Sequence, residues 1–131
     1  MNIYVAAKWA RKQEIDDLIP VIEKAGHTVV STWTKEIGDG PESNDYFSRE
    51  YQREAAERDL DELGASDVFL LMGESTGSVH RGGGRFVELG YAISLGLPVY
   101  VVGEAETIFH ELACVTLCGS LREALKRIDA S

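Results

Sequence analysis

A single glutamate follows a run of three glycines in the segment HRGGGRFVELGYAISLGLPVYVVG, residues 80–103. This residue, Glu88, has mainly apolar neighbours, and Arg81 and Arg85 stand on either side of the glycines. Glycine loops cradle phosphates with their backbone amides. A carboxylate held against an apolar surface is instead suited to acid–base or nucleophilic chemistry. The segment therefore indicates either a nucleotide loop or a carboxylate site.

The spacing of the glycines argues against both common nucleotide loops. A Walker loop requires G-x-x-x-x-G-K-[ST], whereas GESTGS has the wrong spacing and no lysine. A dinucleotide loop requires G-x-G-x-x-G, and in GGGRFV the third glycine is replaced by Val87. We therefore interpret Gly82, Gly83 and Gly84 as a turn that lets a substrate approach the next helix closely. The alternative is a merely flexible connection between a strand and a helix.

Glu88 is predicted in or near the first turn of that helix, where the helix dipole stabilises an anion. Because its neighbours are mainly apolar, we do not expect Glu88 to lie on a fully solvent-exposed face of the helix. A glutamate in a first turn is also a common capping residue, so a capping role stays open.

A second carboxylate lies on the apolar face of an earlier predicted helix. Side chains four residues apart share one face of a helix, and this rule groups Asp59 with Tyr51, Ala55 and Leu63. Glu57, Asp61 and Glu62 are expected to point more towards solvent. A charged group on a core-facing stripe needs a partner or a role. Asp59 is therefore either a catalytic carboxylate beside Glu88 or a buried, ion-paired one.

Two aromatic residues and two small residues complete the candidate site. Tyr4 lies in the first predicted strand and offers a hydroxyl group, although most strand tyrosines only pack. Trp9 follows that strand and has the shape to stack on a base, or to pack on a helix. Ala6 lies near the end of the first predicted strand and Gly73 directly follows the third, so we expect both to contact a substrate.

Short apolar segments alternate five times with helical patterns. The predicted strands are residues 2–7, 27–33, 67–72, 98–102 and 114–118. The predicted helices are residues 11–26, 46–66, 85–95 and 120–130, with a weaker one at 104–112. This alternation predicts one α/β domain over residues 1–131, a five-stranded parallel sheet in the flavodoxin-like order 2-1-3-4-5 with helices on both faces. Ligands bind such sheets at the carboxyl ends of the strands, where the strand order reverses between strands 1 and 3.

Several local signals refine these elements. Pro20 is expected to kink the first helix, and Asn44 or Asp45 to cap the second. Ser120 is expected to cap the last helix, with Glu123 completing a capping box.

Composition excludes several classes of protein. The net charge of −9 argues against binding of duplex nucleic acid, which requires a basic footprint. Cys114 and Cys118 lack further ligands at zinc spacing, so we expect two buried thiols, no metal and no cofactor. No apolar segment approaches the ~20 residues of a membrane span. The residues MNIYVAAKW lack the pattern of a signal peptide, which predicts a cytoplasmic protein without membrane contact.

Three segments, IYVAAKWAR, ERDLDELGASDVFLLM and GGRFVELGYAISLGLPVYVVG, together resemble the nucleoside 2-deoxyribosyltransferase superfamily. That superfamily includes nucleoside 5'-monophosphate N-glycosidases. The resemblance covers nearly the whole chain, and its most specific element is the glutamate-leucine-glycine-x-alanine segment at Glu88. The form GGRFVELG is most similar to small, often phage-associated members.

The resemblance implies an enzyme that cleaves the N-glycosidic bond of nucleosides or nucleotides. Glu88 would attack the sugar C1', Asp59 would assist at the base or the sugar, and Tyr4 would supply an orienting hydroxyl. The sugar would pass to another base in a transferase, or to water in a deoxynucleoside 5'-monophosphate N-glycosidase. The resemblance also implies a homo-oligomer with shared sites. A non-catalytic nucleotide sensor on the same sheet is the alternative from another class.

The chain departs from this family in the loop before Glu88. The loop is longer than in the compact nucleotide hydrolases, and the serine that they place six residues before the glutamate is Gly82 here. A phosphate would then be held by Arg81, Arg85, Ser78 or the loop amides instead.

Overall fold

The computed structural model describes residues 1–36, 48–74 and 83–131. Five parallel strands form one sheet in the order β2-β1-β3-β4-β5. They are β1 (Asn2–Ala6), β2 (Thr28–Val29), β3 (Val68–Met72), β4 (Val99–Val102) and β5 (Val115–Cys118). The predicted fold class and strand order are confirmed.

Four α-helices and three short 3₁₀ turns connect and follow the strands in the described part of the chain. The helices are α1 (Lys12–Lys24), α2 (Arg49–Gly64), α3 (Gly84–Ser94) and α4 (Leu121–Asp129). The 3₁₀ turns are Trp9–Arg11, Trp33–Lys35 and Ile108–Glu111. Because crossovers between parallel strands are right-handed, α1 lies on one face of the sheet, and α2 and α3 lie together on the other. The contact between α2 and α3 agrees with this arrangement.

The core is centred on the two inner strands β1 and β3. All five residues of β3 are buried, as are the last four of β1. Such continuous apolar strands are typical of parallel sheets covered on both faces. The buried strands are thus held rigidly, and because they are parallel, their carboxyl ends lie together on one side of the sheet.

The second strand is much shorter than the predicted segment 27–33. Only Thr28 and Val29 pair with β1, because side chains beyond them bond to the backbone of Val5 instead. The Ser31 hydroxyl oxygen accepts from the Val5 amide at 3.0 Å, and the Trp33 indole donates to the Val5 carbonyl at 2.7 Å. These two bonds give the amide and carbonyl groups of Val5 in β1 hydrogen-bond partners without further strand pairing.

Other boundaries also differ from the prediction. The second helix begins at Arg49 and is capped by Ser48, whose hydroxyl accepts from the Tyr51 amide, while residues 44 and 45 lie outside the described residues. The helix predicted at 104–112 is the 3₁₀ turn at Ile108–Glu111, and α1 continues through Pro20.

The cap of the last helix and the burial of the cysteines each differ in one respect from the prediction. Ser120 caps α4 as predicted, but the Glu123 carboxylate accepts from the amide of Gly119, not of Ser120, so the predicted capping box is wrong in that detail. Cys118 is buried, whereas Cys114 is exposed, which corrects the prediction of two buried thiols.

The described ranges contain no helix that is both long and apolar enough to span a membrane. No three His, Cys, Asp or Glu side chains cluster there as ligands for a metal ion.

Candidate active site

The order of the strands reverses between β1 and β3, which are direct neighbours in the sheet. Ala6 is the last residue of β1 and pairs with Leu71, while Gly73 directly follows β3. Ligand crevices of open α/β sheets form at such a point, outside the carboxyl ends of the strands. Residues near these carboxyl ends are therefore the candidates for a functional site.

Tyr4 and Glu88 meet across this edge of the sheet. The Tyr4 hydroxyl donates a hydrogen bond to Oε2 of Glu88, although 84 positions separate them in the chain. Tyr4 is completely buried, and its ring stacks on Phe69 of β3 with centroids 6.0 Å apart. Burial, followed by the charge of Glu88, raises the pKa of Tyr4 far above its usual value. Tyr4 is therefore a fixed, protonated donor to Glu88.

Glu88 is the fifth residue of α3, so it lies one turn into the helix and not at its first residues. Its side chain bonds to Tyr4, and the N-cap of α3, Gly83, has no side-chain hydrogen bond. These contacts differ from those of a capping glutamate. Burial raises the pKa of Glu88 to about 7, the Tyr4 hydrogen bond opposes that shift, and the charge of Asp59 adds to it.

Asp59 lies on the inward face of α2 with a quarter of its side chain exposed. Burial raises its pKa, and the hydrogen bond and charge of Arg58 oppose this increase, with an Arg58 nitrogen 3.0 Å from Oδ1. The neighbouring positions Glu57 and Asp61 are exposed. Glu62 is mostly buried, contrary to the prediction, because its carboxylate accepts from the amide and hydroxyl of Thr32.

Asp59 and Glu88 interact electrostatically, since the charge of Asp59 raises the pKa of Glu88. Arg58 favours the ionised form of Asp59. Two interacting carboxyl groups titrate as a pair, and burial brings the pKa of Glu88 to about 7. Such an arrangement lets the pair take up or release a proton near neutral pH.

An open pocket of about 380 Å³ is lined by Thr32, Lys35, Glu36, Tyr51 and Arg58, and the last of these also contacts Asp59. Glu36 is almost fully buried and accepts from the Tyr51 hydroxyl at 3.1 Å and from the Arg58 guanidinium. Sequence reasoning missed Glu36, because residues 34–45 read as a polar loop without periodicity. It also missed Arg58, although its position next to Asp59 was a usable signal.

Trp9 is half-buried and lies close to another indole. Its ring centroid is 6.1 Å from that of Trp33, and the Lys12 ammonium lies 5.1 Å from it on the ring face. The described contacts of Trp9 are thus those of packing, and its exposed part faces solvent.

The glycines differ in what the surrounding protein requires of them. A Cβ on Gly73 would meet the carbonyl oxygen of Val102 at 3.1 Å, so this glycine permits close approach of β3 and β4. A Cβ on Gly83 or Gly84 would meet nothing within 4 Å. Arg81 and Gly82 lie outside the described residues.

Arg85 is buried and not presented at the surface of the crevice. Its guanidinium lies 3.3 Å from the Glu106 carboxylate and 4.2 Å from the centroid of the Phe86 ring. This ion pair differs from the expected role of Arg85 as a phosphate ligand. Glu106 was not singled out in the sequence, because it belongs to a segment that reads as a weak helix.

Replacing Tyr4 by phenylalanine keeps the buried ring and removes only the donor to Glu88. Hydrogen bonds to charged groups contribute ~1.5–3 kcal/mol, so we expect the rate of any Glu88-dependent reaction to fall about 10-fold to 100-fold. Since the Tyr4 bond lowers the pKa of Glu88, Tyr4→Phe should also move the acid limb of the pH–rate profile to higher pH. Steady-state rates from pH 5 to 9 measure both effects. The control is Tyr100→Phe on β4, and equal profiles for the two variants would contradict the role of Tyr4.

Comparison with known proteins shows which solved structures share this fold. No protein-family profile and no curated protein sequence matches the chain. The CMP N-glycosidase BcmB of Clostridium botulinum has 21% sequence identity and a TM-score of 0.59, with all of both chains covered. A 2-deoxyribosyltransferase from Bacillus psychrosaccharolyticus has 23% identity and a TM-score of 0.62, covering 82% of this chain and 76% of its own. Both share the fold of this chain, in agreement with the resemblance found in the sequence.

Proposed function

We propose that this protein cleaves the N-glycosidic bond of deoxynucleosides or nucleotides with Glu88 as nucleophile, and transfers the deoxyribose to another base. The observation that carries the proposal is the hydrogen bond from Tyr4 to Glu88 at the switch point of the sheet. A buried carboxylate with a fixed donor and a second carboxylate nearby matches the requirements of glycoside cleavage.

In the first step, an ionised Glu88 oxygen forms a bond to C1' of the sugar while the bond from C1' to the base breaks. The base leaves with the electron pair of that bond. The transition state is oxocarbenium-like, so the negative charge of Glu88 stabilises it. Tyr4 holds the attacking carboxylate in a single orientation.

The departing base requires a proton, and the carboxyl pair can supply it when Asp59 holds the shared proton. In the second step, a nitrogen of an acceptor base forms a bond to C1' while the bond from C1' to the Glu88 oxygen breaks, and Asp59, ionised after the first step, takes the proton that this nitrogen loses. Attack by water at the same carbon gives free sugar instead. The two outcomes differ only in which nucleophile reaches C1'.

Hydrolysis is the second candidate, in the form of a deoxynucleoside 5'-monophosphate N-glycosidase. Full coverage of both chains in the comparison with the CMP N-glycosidase BcmB favours it. The 2-deoxyribosyltransferase has a higher TM-score over a smaller part of the chain, which favours transfer. With Arg85 paired to Glu106, a phosphate would need other cations or backbone amides.

Incubation with a panel of nucleosides and 5'-nucleotides, with and without a free acceptor base, tests the proposal. Exchange of the base supports transfer, and release of free base without exchange supports the hydrolase. Binding without either product, equal in the wild type and Glu88→Ala, would instead assign a non-catalytic nucleotide sensor.

Asp59→Asn removes the charge that raises the pKa of Glu88 while preserving the size of the side chain. We expect the acid limb of the pH–rate profile to move to lower pH. We also expect kcat to fall about 10²-fold to 10⁴-fold, because acid–base assistance is lost. Rates over pH 5 to 9 measure both effects, with Asp61→Asn on the exposed face of α2 as the control. An unmoved acid limb would show that Asp59 and Glu88 do not interact.

We also propose a cytoplasmic homo-oligomer that binds small nucleosides or nucleotides and neither membranes nor nucleic acid polymers. An apolar stripe along α3 and its C-cap residue supports self-association, since Val87, Tyr91 and Leu95 are spaced four residues apart and are exposed by 68%, 37% and 44%. Exposed apolar surface of this kind marks contact sites between proteins.

A further inference from the structure

The N-cap residue of α3 is Gly83, which makes no side-chain hydrogen bond to the first turn of the helix. Contacts of the other residues in this turn therefore help to orient the helix start. This matters because Glu88 lies only one turn further along α3.

Arg85 connects this turn to the segment between β4 and β5. Its guanidinium lies 3.3 Å from the carboxylate of Glu106, and the two side chains are only 1% and 4% exposed. A buried ion pair carries a large desolvation cost, so it is weak evidence for stability and suits a role in fixing geometry. Arg85 is also three residues before Glu88, so the two lie on neighbouring positions of one helix face.

Glu106 is itself held by the carboxyl end of β3. Its Oε2 accepts from the amide of Glu74 at 3.3 Å. Arg11, which follows β1, donates to the carbonyl groups of Met72 and Gly73 at 3.0 and 2.9 Å. The ion pair thus joins α3 to the ends of the strands that form the crevice.

A second contact links the same two segments. The rings of Phe86 and His110 lie edge to face, with centroids 6.1 Å apart, and His110 is buried in a turn capped by Thr107. The Arg85 guanidinium covers the Phe86 ring at 4.2 Å from its centroid. Arg85 and Phe86, which are adjacent in α3, therefore both contact the segment between β4 and β5.

We propose that Arg85 and Glu106 are positioning residues, which orient the first turns of α3 so that the Glu88 carboxylate meets the Tyr4 hydroxyl. Neither residue touches the substrate. The inference rests on the proposed function, since it assigns the ion pair to the alignment of the nucleophile. It gives Arg85 a role in place of phosphate binding.

The double variant Arg85→Met with Glu106→Leu tests the inference. It removes both charges together, so that neither is left buried without a partner. We expect a folded protein by circular dichroism, a kcat about 10-fold to 100-fold lower, and a KM within about 3-fold of the wild type, because only alignment is lost. The control is Arg127→Met with Glu123→Gln, which removes an exposed ion pair on α4.

A second measurement requires no turnover. The titration of Glu88 can be followed by NMR of ¹³C-labelled glutamate, with the signal assigned by its absence in Glu88→Gln. Tyr4 from β1 and Asp59 from α2 face Glu88 and remain unchanged in the double variant. We expect its midpoint to move from about 7 towards the ordinary glutamate value, because a misaligned carboxyl group is more hydrated and burial is the largest cause of the raised pKa. This effect should outweigh the loss of the Tyr4 hydrogen bond, which alone would raise the pKa.

A folded double variant with unchanged kcat and unchanged Glu88 titration would overturn the inference. If the double variant does not fold, Glu106→Gln replaces it, with the same changes expected in smaller measure and the same result overturning it. Failure of the proposed function would show separately, as a wild type that cleaves no nucleoside or nucleotide. The titration would still decide whether Arg85 and Glu106 position Glu88.

Discussion

Glu88→Gln should lower kcat of N-glycosidic cleavage by about 10⁴-fold, equivalent to ~5 kcal/mol of transition-state stabilisation. Glutamine has the size of glutamate and still accepts the hydrogen bond of Tyr4, so the shape of the site is preserved. It lacks the charge needed to attack C1' and to stabilise the oxocarbenium-like state. Substrate affinity should change much less than the rate. Single-turnover rates and calorimetric titration with the preferred substrate measure these two quantities.

The matched control for this loss is Glu57→Gln, which makes the same chemical change on the exposed face of α2. That variant should retain wild-type activity. If Glu88→Gln kept more than a tenth of the wild-type rate, another group would have to be the nucleophile. Mass spectrometry of the wild type during turnover offers a direct check, because a deoxyribosyl ester adds to the mass of the protein.

The same substitution should stabilise the protein at alkaline pH. Folding raises the pKa of Glu88 from the ordinary 4.5 to about 7, so the folded state binds more protons than the unfolded state between these values. Stability from this group is fully present below pH 4.5 and is lost as the pH rises through 7. Relative to the wild type, Glu88→Gln should therefore gain about 3 kcal/mol at pH 8 and little at pH 4.5.

Thermal melts at pH 5 and pH 8 test this expectation, and the difference at pH 8 should be roughly 10 °C for a domain of this size. The control Glu57→Gln should change the melting temperature equally at both pH values. The prediction fails if Glu88→Gln does likewise. A stability gain combined with a loss of activity is the expected signature of a catalytic group held in an unfavourable environment.

The fold was largely predictable from local pattern. Five apolar segments separated by helical patterns predicted the parallel sheet, because local periodicity records which face of an element is buried. The small number of strands then suggested the flavodoxin-like order. The errors lie where side chains replace backbone pairing. Ser31 and Trp33 bond to Val5 and shorten the second strand to two residues. Such bonds depend on distance in space, and no local pattern indicates them.

The candidate site was predictable in part for the same reason. The helical stripe of α2 singled out Asp59, and the apolar surroundings singled out Glu88. Arg85 shows the limit of this reasoning, since an arginine beside a glycine run reads as a phosphate ligand, yet the folded chain pairs it with Glu106. Whether a cation is free to bind a ligand depends on which acidic group folding brings to it.

The sequence by itself determined the alternation of elements and the carboxylates that lie on apolar faces, because these follow from periodicity along the chain. The strand order was expected from the small number of strands, since five-stranded sheets of this kind commonly adopt the flavodoxin-like order. Only the tertiary structure decided the partners. It joined Tyr4 to Glu88 across 84 positions, paired Arg58 with Glu36 and buried the ion pair of Arg85 and Glu106. The physical reason is that hydrogen bonds and pKa shifts depend on distance and burial, which folding sets between residues that are remote in the chain.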